Sequence, residues 1–240
     1  MEPTSTQNSR RHFLKQGGIV TLATVSGLSL LGSCSDKDKD GGDDGQEVSP
    51  PEDLMQEHGL LNRVLLIYDT CRAHLINKEA FPMEALTNAA AIIRTFVEDY
   101  HEKQEEQYLF PRFQKAIQLT DLVSVLLAQH QAGRTITDQL TQLTKSASRS
   151  ETESNQLVTL LTSFNRMYRP HEAREDTILF PAFRKIVSKH EYDSLGEEFE
   201  KNVQKLFGKG GLEMMVDRVA AIEKQLGIFE LSQFTPSTLL

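Results

Sequence analysis

Apolar residues recur in steps of three and four from residue 54 to residue 178, which is the spacing of one face of an α-helix. Four stripes follow one another, and each predicts a helix. The first runs over about residues 53–75 with Leu54, His58, Leu61, Leu65 and Tyr68 on its inner face. The second runs over about residues 82–109, opened by Pro82, with Leu86, Ala90, Ile93, Val97, His101, Glu105 and Tyr108. The third covers about residues 119–146 with Val123, Leu126, His130, Gly133, Thr137 and Leu140. The fourth covers about residues 152–179 with Leu157, Leu161, Phe164, Tyr168, His171, Glu175 and Ile178. Short connections between them make neighbours antiparallel, so the expected fold is all-α, an antiparallel four-helix bundle. Two further amphipathic stretches, 191–207 and 211–226, meet at Gly208-Lys209-Gly210-Gly211 and predict a C-terminal helical extension that covers the bundle.

Ionisable residues stand on these apolar stripes rather than on the wet faces. One phrase occurs twice, 70 residues apart: His101-Glu102-Lys103-Gln104-Glu105-Glu106 through Leu109-Phe110-Pro111-Arg112-Phe113, and His171-Glu172-Ala173-Arg174-Glu175-Asp176 through Leu179-Phe180-Pro181-Ala182-Phe183. Both read H-E-x-x-E-[ED]-x-x-L-F-P-x-F. Residues four apart lie on one helix face, so each copy offers one imidazole and one carboxylate to the same point. The repeat extends upstream, since His58 precedes His101 by 43 residues and His130 precedes His171 by 41.

A lone histidine on an apolar stripe is most often a core residue with its hydrogen bonds satisfied. Four on four stripes, two of them paired with a stripe glutamate, are a different matter. Six ionisable groups facing one core would cost several kcal/mol each if unpaired. Metal ions are the simplest neutralisation, and the candidate ligands are His58, His101, Glu105, His130, His171 and Glu175. Six donors with this internal symmetry suit two ions better than one, each taking two histidines, with Glu105 and Glu175 between them. Imidazole and carboxylate together suit Fe, Mn or Zn.

The chain resembles the hemerythrin-like family, also called the HHE cation-binding domain. Glu57-His58 with Leu61 and Arg63, the two H-E-x-x-E-[ED]-x-x-L-F-P segments, and His130 with Gly133-Arg134 carry the resemblance, which covers residues 52–186. It implies two iron ions, with Mn or Zn less favoured. It also implies a small ligand, a diatomic or a peroxide. One departure stands out. Dioxygen carriers of the family have a fifth histidine four residues after the third-helix histidine, where this chain has Arg134. The resemblance therefore points away from reversible oxygen carriage and toward members that decompose peroxide, respond to nitric oxide or sense iron.

The N-terminus reads as an address. Ser9-Arg10-Arg11-His12-Phe13-Leu14-Lys15 matches the twin-arginine export motif, a mildly apolar stretch runs from Gly17 to Leu31, and Leu31-Gly32-Ser33-Cys34 looks like a bacterial lipobox. Residues 1–33 are the expected removable signal, with Cys34 the lipidation site. Residues 34–51, acidic and Gly-rich, are the expected disordered tether. Residues 52–186 are then the bundle and 187–240 the extension. This places the protein on the periplasmic side of the bacterial inner membrane, lipid-anchored, with the twin-arginine machinery as a partner. That route carries folded chains, which allows metal loading before export. With Cys34 acylated, Cys71 is unpaired and no disulfide framework exists. The net charge of −8 argues against nucleic-acid binding, which needs a basic face.

Around the metal ligands, Arg134 is one turn beyond His130, where it can reach the mouth of the pocket. Tyr108 and Tyr168 share the ligand faces, and Gly133 could leave room above the metals; close helix packing explains it equally well. Glu102 and Glu172, about 100° off the ligand face, are expected in solvent or as neighbours of the ligands. The Pro111 and Pro181 positions are expected to end or kink their helices. Three functions remain open on these grounds. The first is an exported di-iron protein that binds, senses or detoxifies dioxygen, peroxide or nitric oxide, with or without turnover as an oxidoreductase. The second is a non-catalytic iron or oxygen sensor or iron depot, and the third a structural Zn-filled helical lipoprotein. No residue marks a redox partner.

Overall fold

A computed structural model of the chain describes residues 49–146, 149–208 and 210–236. The expected signal over 1–33, Cys34 and the tether up to residue 48 lie outside the described residues. The first helix, α1 (Pro50–Asn77), begins three residues before Asp53. Pro50 and Pro51 occupy its first turn, where a missing N–H costs nothing. The Glu52 carboxylate accepts the Ser49 backbone N–H at 2.9 Å. Lys78, at φ 56°, ends α1 in the left-handed region.

The second helix, α2 (83–116), and the fourth, α4 (151–186), run further than the sequence suggests. Pro111 and Pro181 neither end nor break them. Each proline follows one wider π turn, Glu105–Leu109 in α2 and Glu175–Leu179 in α4, and α-helix resumes at Phe110–Ala116 and Phe180–Ile186. A π turn takes up one extra residue, so the hydrogen-bonding ladder slips past the proline. A second π stretch, Ile93–His101, lies upstream in α2. The third helix, α3 (Thr120–Thr144), starts from Leu119 at φ 50°. Ser150 caps α4, accepting from the Glu153 N–H at 3.2 Å while Glu153 accepts from the Ser150 N–H at 2.7 Å.

α1 packs on α2 and α4, and α3 packs on the same two, which closes a four-helix bundle. Its interior has two apolar clusters. One gathers Leu61, Leu65, Tyr68, Leu86, Phe96, Leu140, Leu161 and Phe164; the other gathers Leu54, Leu109, Phe110, Phe113, Val123, Leu126, Leu179, Phe180 and Phe183. Along every helix the six candidate ligands fall between the two. A layer of buried imidazoles and carboxylates thus separates two hydrocarbon cores. Among the described residues no strand occurs, and no helix is long and apolar enough to cross a membrane.

The extension supplies α5 (Lys189–Phe207) and α6 (Gly211–Gln225), which lie against the bundle. Gly208 and Gly210, at φ 76° and 80°, make the turn between them. α5 spans the polar layer from outside, with Leu195 and Phe199 in one cluster and Val203 in the other. α6 buries Met215, Val219 and Ile222, and its Glu223 pairs with Arg63 at 2.5 Å. Cys71 is fully buried and free, and burial pushes its thiol up to about 12, so packing is what it does here.

Candidate metal centre

All six candidate ligands converge in the layer between the two cores, and each is buried. His58 comes from α1, His101 and Glu105 from α2, His130 from α3, and His171 and Glu175 from α4. The four imidazoles form two pairs. His58 and His101 bring their Nε2 atoms within 3.1 Å, and the His130 and His171 rings stand 5.0 Å apart. Each glutamate reaches both pairs. Glu105 lies 3.8 Å from His101 Nε2 and 3.5 Å from His130 Nε2. Glu175 lies 3.4 Å from His58 Nε2 and 3.1 Å from His171 Nε2.

Among the six, two groups have donor atoms all within 4.8 Å of one another: His58, His101 and Glu105; and Glu105, His130, His171 and Glu175; a third group among the described residues gathers Glu102, Glu106 and His130. The first two share Glu105, which puts a carboxylate between two possible cations.

The histidines are all held the same way round. His58 Nδ1 meets Asp176 at 2.8 Å, His101 Nδ1 meets Glu57 at 2.9 Å, His130 Nδ1 meets Glu106 at 3.1 Å, and His171 Nδ1 meets Gln129 at 2.9 Å. Each acceptor holds a proton on Nδ1 and turns Nε2 inward. Metal-binding histidines are oriented in this manner. Phe180 stacks on His58 and Phe110 on His130, both at 5.6 Å, so the Leu-Phe-Pro phrase of each repeat braces an imidazole of the first or third helix.

The π turns explain why two adjacent carboxylates serve one site. An unbroken α-helix would aim only Glu105 and Glu175 inward. The wider turns that begin at these residues let Glu106 and Asp176 reach histidines as well. They also turn Tyr108 and Ile178 away. Ile178, expected on the inner face, is 45% exposed, and Leu109 and Leu179 are buried in its stead and that of Tyr108. Tyr108 rests edge-on against Phe199 of α5, 3.4 Å from Asn202 Nδ2, and is no neighbour of the metal ligands.

The remaining candidates fall in two groups. Tyr168 donates to Glu102 at 2.6 Å, and its ring lies 5.4 Å from His171. Gly133 faces that hydroxyl so closely that a Cβ would sit 2.1 Å from the oxygen. The room above Gly133 is therefore filled by Tyr168 and is not a berth for a diatomic ligand. Arg134 is clasped by Glu102 and Glu106, each at 2.6 Å. Glu102 and Glu172 are buried rather than solvated; Asn62 Nδ2 donates to Glu172. His74 pairs with Glu79 near the end of α1, away from the site, and His190 is exposed.

Sequence reasoning missed Gln129 and Asn62, named Glu57 only as part of the resemblance, and did not assign Glu106 and Asp176. Position offered a signal. Glu57 and Gln129 each immediately precede the first histidine of a half, and Asn62 and Arg134 each follow it by four residues.

Electrostatics show what the centre lacks without a cation. Burial pushes the Glu105 carboxyl well up, reinforced by the charge on Glu175. Glu175 is buried too, yet His171 and His58 hold its carboxyl below the usual range. His58 is also desolvated, but Asp176 and Glu175 raise it to about 10, whereas burial takes His130 down to about 4 despite Glu106. Neither Glu105 nor Glu175 has a hydrogen-bond donor on either oxygen, and His130 Nε2 lacks a partner. Orphaned buried oxygens of this kind are costly, and a divalent cation among inward-facing lone pairs satisfies them. The residues fit a pair of metal ions.

A sequence profile of the hemerythrin HHE cation-binding domain matches residues 49–203. Uncharacterized proteins of Mycobacterium bovis and of two strains of Mycobacterium tuberculosis are each 43% identical over 237 residues, which covers 95% of this chain and 91% of theirs. No solved structure matches the chain. With the profile spanning the bundle and the buried His/Glu layer inside it, the chain belongs to the hemerythrin HHE cation-binding family.

Proposed function

We propose that this is a non-haem di-iron protein that binds and removes small oxidants, with dioxygen, peroxide and nitric oxide the chemical candidates. One observation carries the reading. Two fully buried carboxylates that accept no hydrogen bond stand between two pairs of imidazoles whose Nε2 atoms face inward. His58 and His101 would hold one ion, His130 and His171 the other, and Glu105 and Glu175 would reach both. Iron bound there would supply one-electron redox chemistry and coordination positions for a small ligand.

The protein's own residues set the conditions. Two apolar cores limit water around the layer. Asp176, Glu57, Glu106 and Gln129 hold the imidazoles in one tautomer. Arg134 is engaged by two carboxylates and presents no imidazole, so the site keeps four histidines rather than five.

Peroxide consumption by the iron-loaded full chain tests this. Repeated turnover, lost in Glu105→Ala, is the expected result. Iron-loaded protein that leaves peroxide untouched, and whose reduced form binds dioxygen reversibly, would make it a carrier or sensor and overturn the proposal.

The N-terminal sequence supports an exported, lipid-anchored form of the same protein. Arg10→Lys with Arg11→Lys should retain the chain inside the cell, and Cys34→Ala should leave it exported without lipid. Unchanged export of the double lysine variant would refute that placement.

A further inference from the structure

The donors repeat between the two halves of the centre, but the groups behind them do not. Resting on the two-cation reading above, we infer that the two positions are inequivalent, that the His58/His101 position binds its divalent cation more tightly and fills first, and that the pair Glu57 and Gln129 sets the difference.

Glu57 and Gln129 are equivalent by position. Each precedes the first histidine of its half, His58 or His130, and each accepts the Nδ1 proton of the histidine contributed by the following helix, His101 or His171, at 2.9 Å. One is a carboxylate and the other an amide. A carboxylate behind an imidazole makes its Nε2 more basic and adds a negative charge one residue away from the cation; an amide oxygen polarises the ring less and brings no charge. Glu57 is buried, and its second oxygen is fixed by the Tyr100 hydroxyl at 3.0 Å.

The other acceptors widen the gap. Behind His58 stands Asp176, whose side chain has no lysine or arginine within ion-pair distance among the described residues. Behind His130 stands Glu106, which is shared with Lys103 and Arg134, both at 2.6 Å. The field of those two cations opposes a metal ion at that position. The His58/His101 position thus has two acidic groups behind its imidazoles. The His130/His171 position has one acidic group, neutralised by neighbours, and one amide.

Titration of the metal-free full chain with cobalt(II), followed by native mass spectrometry and by cobalt absorption, tests the inference. The wild type should take up two ions in two steps. His130→Ala should keep the tighter step and His58→Ala only the weaker. Gln129→Glu should raise the affinity of the His58→Ala protein about tenfold or more, and Glu57→Gln should lower that of the His130→Ala protein by a similar factor, the size of effect typical of groups behind metal ligands. If a histidine variant fails to fold, the same two substitutions in the wild type decide the matter, because Gln129→Glu should raise the weaker step toward the tighter one and Glu57→Gln should lower the tighter step toward the weaker. Equal affinities in the two histidine variants, or steps unmoved by both substitutions, would overturn the inference while leaving two cations in place. Uptake of fewer than two ions by the wild type would instead remove the two-cation reading, and the inference with it.

Discussion

Behind His101 stands a buried carboxylate, and behind its counterpart His171 stands an amide. The same divergence continues outward. Four residues after His58, Asn62 donates to Glu172; four residues after His130, Arg134 holds Glu102 and Glu106 together. Three residues after His58, Leu61 packs in the apolar core; three after His130, Gly133 gives way to the Tyr168 hydroxyl, which donates to Glu102. The halves keep their donors and their π turns and differ in the shell that holds them. A duplicated His/Glu phrase can thus bring equivalent side chains into one layer and surround them differently. The His58 side is backed by acids and a neutral amide clasp, whereas the His130 side is a tighter ionic network around one guanidinium.

Substitutions that ignore the division between halves should have the largest effect. Glu105 and Glu175 each touch both imidazole pairs, so Glu105→Ala or Glu175→Ala should reduce metal uptake at both positions, measured by metal analysis of the purified chain. Chelation of the loaded wild type should lower Tm sharply. Saturation at a thousandfold above Kd contributes about 4 kcal/mol, or roughly 8–16 °C for a domain of this size. Unchanged Tm on chelation would show that the cations do not stabilise the folded layer.

The clasps should come next, and unequally. Arg134→Ala leaves two carboxylates, Glu102 and Glu106, without their shared cation, and removing one partner of such a pair costs about 3–5 kcal/mol when it is buried. The partial exposure of Arg134 and Glu106, 15% and 14%, places the effect at the lower end. Asn62→Ala removes a neutral donor from Glu172 and should cost about 1–3 kcal/mol. Denaturant unfolding of the two variants compares the halves directly. Equal losses would mean the ionic network contributes no more than the amide.

The smallest quantity to be read is a coupling at Gly133. Gly133→Ala places a methyl group against the Tyr168 oxygen and should cost about 1–3 kcal/mol through overpacking. Adding Tyr168→Phe removes that oxygen and should recover part of the loss, so the double-mutant cycle should show a coupling of the order of 1 kcal/mol. Strict additivity would show that glycine is there for another reason.

Much of this arrangement could be read from the chain alone, for identifiable reasons. Steps of three and four between Leu54, His58, Leu61 and Leu65 fix a helix face whatever lies around it, and the same holds for the other three stripes. The duplicated phrase then marks the residues that share a layer. Less legible was anything that depended on a slip in helical register. A proline normally forecasts a helix end, but the π turns before Pro111 and Pro181 carry the helices onward, and the same turns bring Glu106 and Asp176 to histidines while taking Tyr108 and Ile178 outward. Contacts between distant helices were also beyond the pattern. Nothing local to Glu57 says that it will meet His101, 44 residues away, and nothing local to Gly133 says that a tyrosine from α4 will fill the space above it.

Both the proposed chemistry and the inequivalence of the two positions require two cations held in one buried layer. Native mass spectrometry of the iron-replete full chain, with metal content measured on the same sample, addresses that claim most directly. Two ions per chain, falling to one or none in Glu175→Ala, is the result the geometry predicts. One ion or none in the wild type would contradict it.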